Sequence, residues 1–167
     1  FMLYKKIFIL IFLLVFSSNS FANTPRSTGK YKNWESFTAE TDDGKICFAQ
    51  TLPTKRAPAA VKRDKSKLFV TFRPSENIKD EISLTSGHKY KASTVSAKSG
   101  KRRYSFFSKE NFAWILDDQE EKKFIQLMKR ATDVIVKART VKGAETTDHY
   151  SMMGFTKAYN TAKKNCS

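Results

Sequence analysis

Short alternations of apolar and polar residues recur along the chain and predict a protein built mainly of β-strands. In residues 67–73, Leu68, Val70 and Phe72 fall on one face of an extended chain, and Pro74 ends the segment. Comparable short runs, separated by Asp-Gly and Ser-Gly turn dipeptides, occupy residues 45–52, 81–85, 88–95, 104–107 and 111–115. The pattern pairs residues 81–85 with 88–95 as a hairpin.

The C-terminal third combines one more predicted hairpin with two short helices. Residues 134–141 and 145–152 flank Lys142-Gly143, a turn typical of a hairpin. Asp118 and Glu121 have the spacing of a helix N-terminal capping box, ahead of apolar residues at helical spacing. A second helix is predicted from Phe155 to near Cys166. About seven or eight short strands with two accessory helices predict a β-sandwich.

The first 22 residues have the pattern of a cleavable signal peptide. Lys5 and Lys6 precede the apolar residues 7–16, and small residues then lead to Ala22, after which cleavage is expected. The apolar run is shorter than the roughly 20 residues that span a bilayer, so no transmembrane segment is expected after cleavage. An uncleaved N-terminal membrane anchor is the alternative. We expect residues 23–33 to be a disordered lead-in and residues 34–167 to form one domain.

Positive charge is the most informative feature of the composition. The chain carries 31 basic and 16 acidic residues, and because two lysines lie in residues 1–22, the remainder has a net charge of +13. Residues 82–109 hold seven basic residues and no acid, and residues 54–66 read as a mobile basic loop. Such a balance favours anionic partners. The candidate contacts are Lys55, Arg56, Lys62, Arg63, Lys65, Lys89, Lys91, Lys101, Arg102 and Arg103. A solvated basic surface without a ligand is the alternative.

Two cysteines, Cys47 and Cys166, are the only ones in the chain. Export would take both to an oxidising compartment, so a disulfide that ties the two ends of the domain together is predicted. Two unpaired thiols are the alternative.

Catalytic and metal-binding patterns are not found in the sequence. His88 and His149 are isolated, and Asp148 and His149 read as a surface pair whose side chains point to opposite faces of a strand. No Gly-x-Ser-x-Gly, phosphate-loop or dinucleotide pattern occurs. We therefore predict no catalytic residue, metal or cofactor. A small exported hydrolase that uses His88 or His149 stays open as an alternative.

Several short motifs, taken in order, resemble the invasion-associated locus B proteins. They are Trp34 and Cys47, residues 68–74 (LFVTFRP), Ala113-Trp114, residues 127–129 (LMK), residues 143–151 with Gly143, Thr146, Thr147, Asp148, Tyr150 and Ser151, Gly154-Phe155, and the terminal cysteine. The resemblance covers about residues 34–166. It implies an immunoglobulin-like β-sandwich in a small secreted or envelope protein of alphaproteobacteria, with no enzymatic activity.

These observations favour a non-catalytic periplasmic or outer-envelope binding protein. Its basic loops would contact an anionic envelope component or a protein partner, and no specific nucleic acid is expected. A surface-exposed or secreted host-cell invasion factor is the alternative within the same family. The sequence leaves the oligomeric state open.

Overall fold

A computed structural model describes residues 24–167, so the predicted signal peptide and its cleavage site lie outside the described residues. Residues 24–167 form twelve strands in two antiparallel sheets, accompanied by two helices. This confirms the prediction of a mainly β protein with a sandwich architecture. The strands outnumber the predicted seven or eight for two reasons. Several are only three or four residues long, too short for alternation to reveal them, and two longer ones, at residues 26–31 and 34–41, were not predicted.

The larger sheet has seven strands in the order β1-β2-β3-β5-β6-β10-β9. They are β1 (Arg26–Tyr31), β2 (Trp34–Thr41), β3 (Gly44–Thr51), β5 (Lys67–Arg73), β6 (Ile78–Thr85), β10 (Phe112–Trp114) and β9 (Phe107–Lys109), with a short 3-10 turn at Pro74–Glu76. The smaller sheet has five strands in the order β4-β12-β11-β7-β8. They are β4 (Lys55–Ala57), β12 (Glu145–Ser151), β11 (Asp133–Arg139), β7 (Ser96–Ser99) and β8 (Arg102–Ser105).

The core lies between the inner faces of the sheets and beneath the helices. Leu68, Val70 and Phe72 of β5 are all buried on one face, as their alternation predicts. Helix α1 (Asp118–Met128) packs next to β6 and buries Phe124 against the rings of Tyr104 and Phe106. The two sheets thus enclose an aromatic interior and leave their outer faces to solvent.

Helix α2 (Phe155–Asn165) covers the inner face of β1, β2 and β3. Its Phe155 ring packs 4.8 Å from the ring of Trp34, measured between ring centroids. Gly154, which precedes the helix, has φ of +92°, and a Cβ there would meet the carbonyl of Tyr31 at 1.8 Å, so only glycine fits this approach. Cys166 at the end of α2 is bonded to Cys47 on β3, which confirms the predicted disulfide.

The predicted disordered lead-in is wrong, because residues 26–31 form strand β1. This strand pairs with β2, and the Thr28 hydroxyl accepts a hydrogen bond from the Asn165 amide of α2 at 3.0 Å. Its sequence is mostly polar and does not alternate, so the pattern did not predict a strand. Main-chain pairing with β2, side-chain hydrogen bonds and the packing of Tyr31 against the core hold it in place. The fold therefore begins before Trp34.

Two local predictions also differ from the structure. Residues 88–95 do not pair with β6, whose neighbours are β5 and β10; they run as a loop with one isolated bridge, from Tyr90 to Thr140. Tyr90 and Val95 are both buried in this loop, and the Tyr90 hydroxyl is bonded to Ser86. Helix α1 is capped by Asp117, whose side chain accepts from the Glu120 amide, and not by Asp118.

Candidate anion-binding surface

The outer face of the five-stranded sheet carries a continuous row of five side chains. In antiparallel sheets, residues directly opposite each other point to the same face. The registers align one residue from each strand, and with strands about 4.8 Å apart the row extends over roughly 19 Å. In strand order, this outer row consists of Lys55, His149, Ile135, Lys98 and Arg103.

Alternation in β12 and β11 determines which side of the sheet the row occupies. Asp148 and Tyr150 are buried, whereas His149 between them is partly exposed. In the same way Val134 and Val136 are buried on either side of Ile135. The outer row therefore faces away from the core.

The three cations of the outer row have no carboxylate partner. Among residues 24–167, no salt bridge involves Lys55, Lys98 or Arg103. The neighbouring Lys137 and Arg139 of β11 contact Glu145, with nitrogen–oxygen distances of 3.2 and 3.6 Å. The outer row thus keeps an unneutralised positive charge.

Lys98 and Arg103 lie directly opposite each other on β7 and β8. Like charges in this position destabilise a sheet. Neither residue contributes to the core, so the fold gains nothing from the repulsion. A bound anion would relieve it.

A shallow cavity of about 260 Å³ opens beside Arg103 on the same face. Three cationic side chains line it, together with the hydroxyl-bearing Ser93, Thr94 and Ser96 and with Glu145; the cations are Arg103, Lys137 and Arg139. Guanidinium, ammonium and hydroxyl donors are the groups that hold phosphate or sulfate oxygens. The cavity can accept one such group of a larger anionic ligand.

The ten predicted cationic residues do not form a single patch. Lys55 and Arg103 belong to the outer row, while Lys62 and Lys65 are exposed in the segment that follows β4. Lys101 and Arg102 lie just after β7, near the first residues of β11. Lys89 and Lys91 contact the other end of β11, where the chain turns toward β12. Sequence reasoning missed Lys98 as a member of the outer row, and Lys137 and Arg139 beside it, because only the strand order brings these residues together.

Arg63 is wrongly predicted as a surface contact. Its side chain is only 3 % exposed, and its guanidinium donates to both oxygens of Asp148 at 2.7 and 2.8 Å. The same group also donates to the Ser66 hydroxyl and to the Ser86 carbonyl, both at 3.0 Å. Asp148 is 1 % exposed and is therefore a buried ion-pair partner, not the surface residue that was expected.

The segment around Arg63 is anchored and is not the mobile loop that was predicted. The Asp64 amide donates to the Gly87 carbonyl at 2.9 Å, and a Cβ on Gly87 would meet the Asp64 carbonyl at 2.1 Å. The guanidinium of Arg56 donates to the Asp64 carbonyl, and its Nε lies 3.8 Å from an oxygen of Asp148. Arg56 therefore faces the buried pair, and it is less available to a ligand than Lys55.

Neither histidine shares a site with a free carboxylate. His88 Nδ1 lies 3.0 Å from the Lys89 carbonyl and its Nε2 lies 2.9 Å from the Thr146 hydroxyl, so the neutral ring carries its proton on Nδ1. Burial lowers the pKa of His88, which favours this neutral form. The carboxylate of Asp148 is bonded to Arg63, and His149 points to the outer face. Across residues 24–167, no three His, Cys, Asp or Glu side chains are grouped as a metal site requires.

An acidic cleft lies between β6 and α1 and was not predicted from the sequence. It has a volume of about 640 Å³, and Asp80, Glu81, Asp118 and Glu121 line it together with Trp114. Glu121 accepts from the Ile82 amide at 2.6 Å. Burial, followed by repulsion from the nearby carboxylates, raises the pKa of Glu121 to about 7. The sequence pattern placed Glu121 only in a capping box. Lys79 and Lys122 also line the cleft, so four carboxylates stand beside two ammonium groups there.

Comparisons with protein-family models, with curated proteins and with solved structures found no match to this chain. Within residues 24–167, neither helix is long and apolar enough to cross a membrane.

Proposed function

We propose that the chain is a non-catalytic exported protein of the cell envelope that binds an anionic partner through its outer row. The observation that carries the proposal is the repulsive pair Lys98 and Arg103, which forms no salt bridge among the described residues and borders a cavity lined by hydroxyl groups, in which Glu145 is already paired with Lys137 and Arg139. Such an arrangement opposes folding and is useful only when an anion binds. The rigid sheet beneath the row would hold these cations at fixed spacing.

Export is supported by the N-terminal pattern of residues 1–22 and by the disulfide between Cys47 and Cys166, a bond typical of oxidising compartments. The resemblance to the invasion-associated locus B proteins points to the same class of small envelope protein. Periplasmic or outer-envelope residence is our first proposal. The family resemblance alone favours the second, a surface-exposed or secreted invasion factor.

Reversal of one charge in the outer row should separate binding from stability. We expect Arg103→Glu to raise the free energy of unfolding by about 0.2–1 kcal/mol, because an opposite charge then faces Lys98. The same variant should bind inorganic polyphosphate more weakly, with the slope of log affinity against log salt smaller by about one. Urea unfolding and a fluorescence titration at several salt concentrations measure the two effects.

Lys157→Glu is the matched control, because Lys157 is an exposed residue of α2, outside the five-stranded sheet and its cavity, and the change in net charge is identical. It should leave the salt slope close to that of the unmodified protein. If Lys157→Glu and Arg103→Glu weaken binding equally, only net charge matters and the outer row is not a site.

The exported form should begin at Asn23. N-terminal sequencing of protein recovered from the periplasm or medium of the producing cells tests this, since a chain that retains residues 1–22 contradicts processing. Protease treatment of intact cells then separates the two envelope proposals. A protein that is protected until the outer membrane is opened cannot be a surface-exposed invasion factor.

A further inference from the structure

Three loops meet at the end of the sandwich where β6 ends and β11 turns into β12. The Tyr90 amide donates to the Glu110 carbonyl at 2.8 Å, and the Val141 amide donates to the Lys89 carbonyl at 3.2 Å. These main-chain bonds hold the loops in one surface, which we term the loop end. The loop end consists of residues 88–91, 109–112 and 140–143.

The loop end is strongly basic. It carries four lysines and a single carboxylate, that of Glu110, whose oxygen lies 2.9 Å from the Lys89 ammonium. Among the described residues, no salt bridge involves the other three lysines, which are Lys91, Lys109 and Lys142. All three are exposed. Adjacent Arg139 is paired with Glu145, so the uncompensated charge is that of the lysines.

Apolar side chains project from the same basic surface. Val141 is 62 % exposed at the second position of a turn closed by a 2.8 Å hydrogen bond from the Gly143 amide to the Thr140 carbonyl. Phe112, next to the turn between β9 and β10, is 38 % exposed and stacks on the ring of Trp114, with the centroids 6.1 Å apart. The turn keeps Val141 from folding back onto the core, because the preceding and following strands are paired.

The combination of unpaired lysines and exposed apolar side chains indicates which kind of partner fits the loop end. A dissolved polyanion satisfies the lysines but offers nothing to Val141 and Phe112. A second copy of this chain is repelled, because each carries a formal net charge of +13 without residues 1–22. A bilayer with anionic lipid offers phosphates at the surface and hydrocarbon a few ångströms deeper, and so matches both features.

We infer that the loop end docks on an anionic lipid surface, with Val141 and Phe112 inserted among the lipid head groups and Lys91, Lys109 and Lys142 against the phosphates. Docking of this kind goes beyond the proposed function, because the outer row takes no part in it. It gives the chain a fixed orientation at a membrane, with β4 and β12 rising from the surface.

Co-sedimentation with vesicles tests the inference. The folded, disulfide-bonded protein should bind vesicles of equimolar phosphatidylcholine and phosphatidylglycerol and not vesicles of phosphatidylcholine alone. Lys91→Gln combined with Lys142→Gln should lower the partition coefficient about twenty-fivefold, since each lysine contributes roughly a factor of five. Val141→Ser should lower it about fivefold. Lys157→Gln, on α2, is the control and should change it little.

Insertion of Val141 among the lipid head groups can be measured separately from binding. Both native cysteines are disulfide-bonded, so Val141→Cys offers a single thiol for an environment-sensitive fluorophore. Its emission should shift to the blue on anionic vesicles, whereas the same label at Asp43→Cys, in the turn at the far end of the seven-stranded sheet, should not shift. No shift at position 141, or equal shifts at both positions, would overturn the inference. Polyphosphate binding that depends on Arg103, without any vesicle binding, would reject the lipid-docking inference and leave the proposed function standing.

Discussion

Loss of the disulfide between Cys47 and Cys166 should lower the free energy of unfolding by about 5 kcal/mol. The two cysteines are 119 residues apart in sequence, so the bond closes a loop that contains most of the domain. Opening it gives the unfolded chain far more conformations, which favours unfolding. Because small domains are stable by only about 5–15 kcal/mol, the reduced protein should be marginal at physiological temperature.

Urea unfolding of three proteins measures this effect: the oxidised chain, the chemically reduced chain, and the double variant Cys47→Ala with Cys166→Ala. The reduced chain keeps both side chains, so agreement between it and the double variant assigns the loss to the cross-link and not to the buried sulfur of Cys47, which is fully covered. A loss below about 1 kcal/mol in both would mean that the packing of α2 alone fixes the ends of the chain.

The sequence alone predicts those strands and helices whose form depends on residues close together in the chain. The hairpin of β11 and β12 and the helix α2 lie within a few residues of their predicted positions, because alternation, a Lys-Gly turn and helical spacing are all read from neighbouring residues. The predicted inner face of β5 is likewise correct. These elements bury their apolar side chains against whatever lies next to them, so local pattern determines their form.

The surfaces depend instead on residues that are distant in sequence. The outer row joins Lys55, Lys98 and Arg103 only because β4 adds to β12 at one edge while β7 and β8 extend the other. A cluster of basic residues in sequence, such as residues 101–103, is divided by strand alternation and by the ends of the sheet. The charge composition therefore predicts that the surface is positively charged. Which cationic side chains lie side by side depends on the strand order.

Arg63 is the clearest case of a residue whose surroundings cannot be predicted from nearby sequence, because its partner Asp148 is 85 residues away. We expect Asp148→Ala to lower the free energy of unfolding by about 3–5 kcal/mol, because the guanidinium of Arg63 would stay buried without a counter-charge. Both side chains are almost completely covered, so solvent screens the pair very little. Circular dichroism during urea unfolding measures the loss.

The double variant Arg63→Met with Asp148→Leu separates the cost of an orphaned charge from the value of the pair. Removing both charges should cost less than Asp148→Ala alone, since no ion is then left in the core, although the Ser86 and Ala57 carbonyls lose a donor. Limited digestion with trypsin gives a local readout. Because Arg63 anchors the segment after β4, cleavage at Lys62 and Lys65 should become faster in both variants under conditions where the domain remains folded. If cleavage there is unchanged, the bond between Asp64 and Gly87 holds the segment without Arg63, and the buried pair serves only the global stability of the sandwich.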